Sequence, residues 1–272
     1  MRGIEDFIRE RKYLHNVSPR TVEWYETSFK WLPNPSPTQD QLNDTVIRMR
    51  EKGLKATGCN SVARCVNAYM KWAELPGRIR KLKEPHLVLP TFSDTQIKKL
   101  VSWKPDGQYN RRLHTLVLFL LDTGARISEA TSVKVRDVDF ENLLVTLDGK
   151  GQKQRVVPFS FELRKALFKH CKEATRTPER LLFANRTQTG LSRNNVLRDV
   201  KALCRKLDFE PPERTLHSFR HTFAVNYLRR GGSVFHLQKV LGHSSLEMTR
   251  RYANLSTVDL QTAHERISLL TR

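Results

Sequence analysis

The chain has no hydrophobic run long enough to cross a membrane. The longest apolar stretch among its 272 residues lies at 113–121 and is about half the roughly 18 residues that a membrane span needs. The N-terminal segment MRGIEDFIRERKYL mixes acidic and basic residues and has no apolar signal-peptide core. We therefore expect a cytoplasmic protein without membrane contact.

Cysteine is scarce and shows no functional pattern. The four cysteines form neither a CxxC pair nor a compact disulfide framework. They are Cys59, Cys65, Cys171 and Cys204. We expect small, buried, unpaired thiols in a reducing cytosol.

Acidic residues are few relative to basic ones. The chain has 28 Asp and Glu against 48 Lys and Arg, which gives a formal net charge of +20. A surface of this charge favours a polyanion, either a nucleic acid or an acidic membrane face. Because the chain lacks membrane features, nucleic acid is the better partner. Its 39% hydrophobic content, with 12 Gly and 12 Pro, is otherwise typical of a globular protein.

Residues 1–82 are predicted to form a small domain of about four helices, because apolar residues recur at helical spacing. Ser18 followed by Pro19 has the pattern of a helix cap and a first-turn proline. The stretch 83–92 is predicted to be a linker. Basic residues gather around its start: Arg78, Arg80, Lys81 and Lys83. Two interpretations stay open, a solvated linker or a basic segment that crosses nucleic-acid phosphates.

Residues 93–272 are predicted to form a larger domain that begins with Ser93 as a helix cap. A buried helix ends at Gly124, and a new helix starts with Arg126 and Glu129 one turn apart on the same face. Taken alone, these two side chains form either a structural ion pair or part of a functional site.

The stretch 137–160 is predicted to contain a β-hairpin, because β-branched runs flank a DGKGQK turn. Lys150 and Lys153 lie in this turn beside glycines that permit a close approach to a partner, and Arg155 follows on the second strand. The turn is either a solvated tip or a nucleic-acid contact. It lacks the long glycine-rich pattern and the following helix of a phosphate-binding P-loop.

Residues 161–205 are predicted to return to helix, and Ser192 is the expected cap of a segment with one basic face. That face carries Arg193, Arg198, Lys201 and Arg205, and Asn194 beside them is a further candidate DNA contact. It is either an ordinary solvated surface or a helix that binds phosphates or reads a groove.

The stretch from 217 to 252 concentrates the reactive side chains. His217 and Arg220 lie near the start of a predicted helix, with Thr215 as its cap, where the helix terminus favours an anion. His217 and His221 have the spacing of zinc ligands, but HSFRH lacks the glutamate of HExxH and places a cation between the histidines. We predict no metal, and core histidines remain an alternative interpretation.

The second half of this stretch carries a glycine break and a tyrosine. Gly242 ends a predicted helix and His243 follows it directly. Ser244 and Glu247 form a capping-box pattern for one more helix, which contains Tyr252. A phenol, imidazoles and guanidiniums are the groups needed to attack a phosphodiester without a metal. A serine nucleophile has no GxSxG elbow to support it.

Four motifs in order carry a family resemblance: TGARISE, GKGQKQRVVP, HSFRHTFA and LGHSSLEMTRRY. The chain resembles the tyrosine recombinase (phage integrase) family, and its compact Xer-like members in particular. The segment SPRTVEWY near the N-terminus extends the likeness over nearly the whole chain. Ala125 and Phe219 stand where leucine is common in the family, and both are expected to be packing positions.

The resemblance assigns the main catalytic roles. It makes Tyr252 the nucleophile that attacks a DNA phosphodiester, giving a 3′-phosphotyrosyl enzyme and a free 5′-hydroxyl. It makes Arg126 and Arg220 the arginines that bind the phosphate, for which two-pronged guanidiniums are well suited. It makes Lys150 the lysine that protonates the leaving 5′-oxygen. Lys153 is a candidate for that role by sequence alone, but the family's lysine precedes the second glycine of the turn.

The resemblance also assigns the supporting roles. His217 and His243 are implied to be proton-transfer and hydrogen-bonding partners of the phosphate, and Glu129 a supporting acid. A tyrosine with a pKa near ~10 is a poor nucleophile at neutral pH, so cations and a base must assist it. Exchange of one phosphodiester for another is nearly energy-neutral. We therefore expect neither ATP nor another cofactor, with the cations in the place of metals.

The fold implied is mainly α with a small antiparallel β-sheet or hairpin. Two domains clamp DNA, a helical core-binding domain and a larger mixed α+β catalytic domain. The implied partners are double-stranded DNA and further copies of the chain, as a tetramer on two DNA sites, with possible accessory recombination proteins. The segment VDLQTAHERISLL spaces apolar residues along one helical face, at Leu260, Ala263, Ile267 and Leu270. It packs either on its own domain or on a neighbouring protomer.

Two other functions use the same scaffold. One is a DNA-binding regulator without catalysis, which an intact set of catalytic residues argues against. The other is a type IB topoisomerase, which relaxes supercoils with similar chemistry. The two-domain layout and the C-terminal segment favour a site-specific recombinase over both.

Overall fold

The computed structural model describes residues 3–84, 90–149, 154–173, 177–185, 187, 189–243 and 245–253. The chain divides into two compact units, Met1–Leu87 and Val88–Arg272. The boundary falls within the range 83–92 that was predicted to be a linker. As predicted, the fold is mostly helical with a small antiparallel sheet.

The first unit consists of four helices in its described part: α1 (Ile4–Tyr13), α2 (Pro19–Phe29), α3 (Gln39–Glu51) and α4 (Ala56–Trp72). The Ser18 side chain accepts a hydrogen bond from the Thr21 N–H and so caps α2, as the sequence predicts. Phe7 is fully buried and makes edge-on contacts with four aromatic rings, which join α1 to α2 and α4. Those rings belong to Tyr25, Phe29, Tyr69 and Trp72.

An extended segment at 78–84 is held on this unit by three side-chain amides. Asn67 accepts from the Ile79 N–H at 2.8 Å and donates to its carbonyl at 2.9 Å. Asn60 binds the backbone of Leu82 in the same two-way manner, and Gln39 that of Arg78. The basic side chains in the segment all stay exposed: Arg78, Arg80, Lys81 and Lys83. The segment is therefore an ordered part of the helical unit.

The second unit begins with three helices in order. They are α5 (Asp94–Ser102), α6 (Gly107–Thr123) and the short α7 (Ile127–Ser132). Ser93 accepts from the Gln96 N–H and caps α5 as predicted. Gly124 ends α6 with φ +62°, and a Cβ at this position would lie 2.4 Å from the Phe223 ring. Only glycine fits both that conformation and that contact.

A three-stranded antiparallel sheet follows α7, in the order β1-β2-β3. The strands are β1 (Val138–Asp139), β2 (Leu144–Asp148) and β3 (Gln154–Pro158). Asp148 pairs with Gln154 at the end of the predicted hairpin, and the turn that joins them, 150–153, lies outside the described residues. The buried residues of the sheet belong to the main core of the unit, together with buried residues of α6 and α8.

The second unit continues with five helices. They are α8 (Phe161–Glu173), α9 (Arg193–Lys206), α10 (Thr215–Arg229), α11 (Val234–Leu241) and α12 (Leu246–Ala253). The prediction of helix across 161–205 is wrong between α8 and α9. There the chain pairs with the segment after α7, with the Leu182 N–H bound to the Val133 carbonyl at 2.7 Å.

The predicted cap of α10 is also placed differently. Thr215 is the first residue of the helix instead of its cap, and its hydroxyl donates to the Pro212 carbonyl at 2.8 Å. A small apolar cluster lies where α10, α11 and α12 meet, and it contains Ala224, Val225, Leu237, Leu241 and Tyr252. This cluster positions the predicted nucleophile.

The four cysteines form no disulfide in the described part of the chain, and three of them are buried. Burial raises the pKa of the Cys65 and Cys204 thiols to about 12, so both are inert at neutral pH. Within the described part of the chain, no helix is long and apolar enough to cross a membrane. Over the same residues, no cluster of three or more His, Cys, Asp or Glu side chains is arranged to hold a metal ion.

Candidate active site

The start of α7 brings Arg126 and Glu129 together. Arg126 stands just before the helix, and its backbone N–H donates to Glu129 Oε2 at 2.7 Å. Its guanidinium Nη1 donates to Glu129 Oε1 at 2.7 Å. The Arg126 side chain keeps 34% of its surface exposed, so the glutamate holds the guanidinium in place without burying it.

Glu129 is a buried carboxylate shared by two arginines. Arg155 on β3 donates Nη1 to Oε1 at 2.9 Å and Nη2 to Oε2 at 2.8 Å. Burial favours the neutral acid, but the hydrogen bonds from Arg155 and Arg126 outweigh it and lower the pKa of Glu129 to about 2. The carboxylate is therefore ionised at neutral pH.

Arg155 lies inside the protein, which corrects its prediction as a DNA contact. Only 11% of its side chain is exposed, and its Nε donates to the Val240 carbonyl at 2.7 Å. It also passes close to Gly242, where φ is +64° and a Cβ would lie 3.0 Å from Arg155 Cδ. Arg155 therefore ties the hairpin to the end of α11 and to the buried Glu129.

Arg220 joins the ends of two helices. It is 5% exposed on α10, and its guanidinium donates to the carbonyls of Gly124, after α6, and Leu241, at the end of α11. Burial, and next the nearby charge of Arg126, lower the pKa of Arg220 to about 10. Arg220 therefore remains a cation at neutral pH, and it lies close to a second cation, Arg126.

His217 and His221 lie one turn apart on α10. Their ring centroids are 6.5 Å apart, with an interplanar angle of 30°. His217 is exposed, and its pKa is lowered by partial desolvation and then by Arg193 and Arg214. Both imidazoles therefore favour the neutral form in this cationic setting.

His243 follows the glycine that ends α11. Its Nδ1 lies 2.9 Å from the Thr249 hydroxyl, and its ring stacks on that of Tyr252 with centroids 6.2 Å apart. Desolvation, and then Arg220 and Arg126, lower the pKa of His243 to about 4. A neutral imidazole thus covers one face of the phenol.

Tyr252 completes the cluster from α12. It is 4% exposed and packs against the apolar residues of α10 and α11. Its hydroxyl lies 2.9 Å from Nδ1 of His221. The structure therefore brings together side chains that lie far apart in the sequence: Arg126, Glu129, His217, Arg220, His243 and Tyr252.

Sequence reasoning missed two members of this cluster. His221 was considered as a zinc ligand or as a core histidine, and Thr249 was not singled out. The signal for His221 was present, since a residue one turn after His217 must share its helix face. Its contact with Tyr252 spans 31 residues and depends on how α10 and α12 pack.

Several predicted residues lie outside the described part of the chain. They are Lys150, Lys153, Ser244 and the C-terminal segment 254–272. The basic face of α9 is described, and Ser192 caps this helix as predicted. Arg193, Asn194 and Arg198 are exposed and Lys201 is half-buried.

Comparisons with known proteins identify relatives of this chain. Residues 91–258 match the model of the phage integrase family. The tyrosine recombinase XerA of Pyrococcus furiosus is 31% identical over 241 residues, which cover 86% of this chain and 82% of that protein. The tyrosine recombinase XerC of Corynebacterium glutamicum is 28% identical over 282 residues, which cover 96% of this chain and 89% of that protein.

Solved structures share the fold. The Tn1549 transposon integrase, in complex with circular intermediate DNA, superposes with a TM-score of 0.75 at 20% identity and covers 92% of this chain and 94% of that one. The crystal structure of XerA recombinase superposes with a TM-score of 0.57 at 22% identity and covers 97% of this chain and 96% of that one.

The chain belongs to the phage integrase family. It is a site-specific recombinase of the Xer type, an enzyme that exchanges DNA strands. A non-catalytic regulator and a type IB topoisomerase are not favoured, because the relatives are named as recombinases.

Proposed function

We propose that this recombinase cleaves and rejoins double-stranded DNA through a covalent 3′-phosphotyrosyl intermediate on Tyr252. The observation that carries the proposal is the position of the Tyr252 hydroxyl. It lies 2.9 Å from His221 on α10, the helix that also supplies His217 and Arg220. A phenol held among imidazoles and guanidiniums is arranged for attack on a phosphodiester.

Arg126 and Arg220 bind the scissile phosphate in this proposal. Glu129 fixes Arg126 through both the backbone and the side chain, and the carbonyls of Gly124 and Leu241 fix Arg220. Because these groups are already oriented, they stabilise the charge of the transition state without rearrangement. The ordering of the arginines also explains why a buried glutamate belongs to the site.

The remaining roles rest on the family resemblance. His217 and His243 are proton-transfer and hydrogen-bonding partners of the phosphate, and Lys150 protonates the leaving 5′-oxygen. Lys153 is the reserve candidate for that step. The reaction conserves the number of phosphodiester bonds, so it requires neither ATP nor a cofactor.

Both units take part in DNA binding in this proposal. In the first unit, the ordered segment 78–84 presents four exposed basic side chains that suit a phosphate backbone. In the second unit, the basic face of α9 presents Arg193, Asn194 and Arg198, with Lys201 beside them. Arg193 lowers the pKa of His217, which supports a surface continuous with the active site.

The proposed assembly is a tetramer on two DNA sites, with accessory recombination proteins as possible partners. The apolar spacing of the segment after 256 supports docking on a neighbouring protomer, which would couple the four active sites. A chain truncated after Ser256 is then expected to bind DNA and lose strand exchange. Unaltered recombination by that truncation would remove the reason for a docking segment.

The direct test of the catalytic proposal uses nicked suicide DNA that carries candidate sites. The wild-type chain is expected to form a covalent protein–DNA adduct that survives denaturation. Tyr252→Phe is the matched control, since it keeps the ring and its packing and loses only the hydroxyl. It is expected to bind the same DNA and form no adduct, and an adduct that persists would overturn the proposal.

A further inference from the structure

His221 is a histidine that the roles above leave unused, although it contacts the nucleophile directly. It follows Arg220 on α10, and its Nδ1 lies 2.9 Å from the Tyr252 hydroxyl. That distance is a hydrogen bond by ordinary criteria. The ring centroids of the two residues are 5.6 Å apart, with planes tilted by 46°, so the imidazole meets the phenol at its oxygen.

The other two histidines of the site are placed differently. His243 stacks over the phenol ring with an interplanar angle of 8°, and its Nδ1 is engaged by the Thr249 hydroxyl. His217 lies one turn earlier on α10, with its ring stacked on that of His221. His221 is therefore the imidazole whose nitrogen is aimed at the reacting oxygen.

The surroundings of Tyr252 leave little room for water to act as the base. The tyrosine is 4% exposed and packs on Ala224, Val225, Leu237 and Leu241. A phenol with an ordinary pKa near ~10 must lose its proton to attack a phosphate at neutral pH. Where the phenol is closed to water, that proton is best taken by a side chain already in contact.

We propose that His221 is a further catalytic residue, which accepts the phenolic hydrogen at Nδ1 and takes that proton as Tyr252 attacks. This inference rests on the proposed function of Tyr252. As the bond from the phenolic oxygen to phosphorus forms, the bond to the 5′-oxygen breaks and its electron pair goes to that oxygen. The 5′-oxygen takes a proton from the leaving-group acid, which is Lys150 under the proposed function. In rejoining, the 5′-hydroxyl attacks phosphorus and gives its proton back to Lys150, the bond from phosphorus to the phenolic oxygen breaks, and His221 returns its proton to that oxygen.

The charges around His221 make its basicity depend on DNA. On its own helix and just before it, His221 faces His217, Arg220 and Arg214. From the other side it faces Tyr252 on α12 and His243 in the loop before α12. Burial, and then His217 and the two arginines, lower the pKa of His221 to about 4. The imidazole of His221 is thus neutral at neutral pH and has a lone pair to accept a proton, but the neighbouring positive charges disfavour the protonated form. A DNA phosphate bound by Arg126 and Arg220 offsets that repulsion, so the base becomes effective when substrate is in place.

The test begins with His221→Asn. Asparagine places an oxygen near the position of Nδ1 and accepts a hydrogen bond, but it cannot take a proton. On suicide DNA under single-turnover conditions, this variant is expected to bind DNA as the wild type does. It is expected to form the adduct about 10²- to 10⁴-fold more slowly at neutral pH, with a rate that rises steadily with pH as hydroxide replaces the lost base.

The deciding arm replaces Tyr252 by a ring-fluorinated tyrosine whose phenol ionises near neutral pH. A phenolate that is already formed needs no base, so the wild-type and His221→Asn backgrounds are then expected to cleave at nearly equal rates. His217→Asn is the matched control, since it removes an imidazole one turn away that does not touch the phenol. The slower adduct formation of His217→Asn is expected to remain when the fluorinated tyrosine is present. If His221 had only a structural role, the slower adduct formation of His221→Asn would remain as well.

The outcomes separate this inference from the proposed function. If the wild type forms no adduct, or Tyr252→Phe still forms one, the proposed function fails. If the wild type forms the adduct and His221→Asn forms it at an unchanged rate, or its defect survives fluorination, the inference alone is overturned.

A measurement without catalysis covers the case in which His221→Asn fails to fold. Nitrogen NMR of the wild-type imidazoles is expected to show His221 protonated at Nε2, with an Nδ1 resonance that shifts in Tyr252→Phe. A proton fixed on Nδ1 would also overturn the inference.

Discussion

Glu129 and Arg155, 26 residues apart in the sequence, form a two-pronged buried ion pair with N–O distances of 2.9 and 2.8 Å. The pair connects the helix that positions Arg126 to the strand that leads out of the hairpin. Because Arg155 also binds the Val240 carbonyl, the same side chain reaches the end of α11, just before His243. One carboxylate therefore links elements that supply different parts of the active site.

The ionisation of Glu129 gives a stability prediction. Its pKa is lowered from 4.5 to about 2 in the folded protein, so the contribution is present above pH ~4.5 and lost as the pH falls through ~2. The shift corresponds to about 3 kcal/mol at neutral pH. The free energies of unfolding of the wild type and Glu129→Gln, measured in denaturant, are expected to differ at pH 7 and to converge towards pH 2. A difference that is independent of pH would contradict the ionised pair.

Replacement of Arg155 separates a positioning role from a DNA contact. Arg155→Lys keeps the charge but loses the two-pronged geometry, so it is expected to lower stability and the rate of adduct formation. Its affinity for DNA and the salt dependence of binding are expected to stay unchanged, because the side chain is 11% exposed. Arg198→Lys, on the exposed face of α9, is the matched control for stability. A lower affinity for DNA in Arg155→Lys with unchanged stability would restore the DNA-contact interpretation.

Gly242 is expected to tolerate no side chain. Gly242→Ala places a Cβ 3.0 Å from Arg155 Cδ at a φ of +64°, which combines backbone strain of about 1–2 kcal/mol with displacement of the arginine. Gly107→Ala is the control, since its φ is +66° and a Cβ there meets no described atom within 4 Å. Both variants are expected to lose stability in thermal unfolding, and Gly242→Ala alone to lose cleavage activity. Equal activities would show that the packing of Gly242 against Arg155 is unimportant.

The ordered basic segment of the first unit is expected to contribute to DNA affinity. The double variant Arg80→Gln, Lys81→Gln is expected to bind DNA with a weaker salt dependence. The slope of log binding constant against log salt concentration is expected to become less steep by about 0.9 for each DNA phosphate that these side chains neutralise in the wild type. Asn67→Leu, which keeps both charges but removes the amide that binds Ile79, is expected to weaken binding by releasing the segment. Titrations at several salt concentrations check both. An unchanged slope in the double variant would exclude the segment from the interface.

Local features of the fold were predictable because their causes lie within a few residues. Ser18, Ser93 and Ser192 cap the helices that follow them, as their sequence context indicates. Gly124 and Gly242 end helices in the left-handed conformation. Each of these signals depends only on the adjacent backbone.

The interactions that shape the site were not predictable, because they depend on packing between distant elements. The burial of Arg155 requires β3 to lie against both α7 and the end of α11. The hydrogen bond of His221 with Tyr252 requires α12 to fold back over α10. The amide hydrogen bonds that order 78–84 come from residues as far away as Gln39. Periodicity shows which side of an element is buried, and the partner on that side is decided by the whole fold.

The central claim, that Tyr252 is the nucleophile, is tested most directly by identifying the covalent link. The adduct from suicide DNA is digested with protease and nuclease, and the nucleotide-bearing peptide is sequenced by mass spectrometry. The account predicts one modified peptide, with a 3′-phosphate esterified to the phenolic oxygen of Tyr252 and a free 5′-hydroxyl on the released strand. A link to another residue, or to a 5′-phosphate, would contradict it.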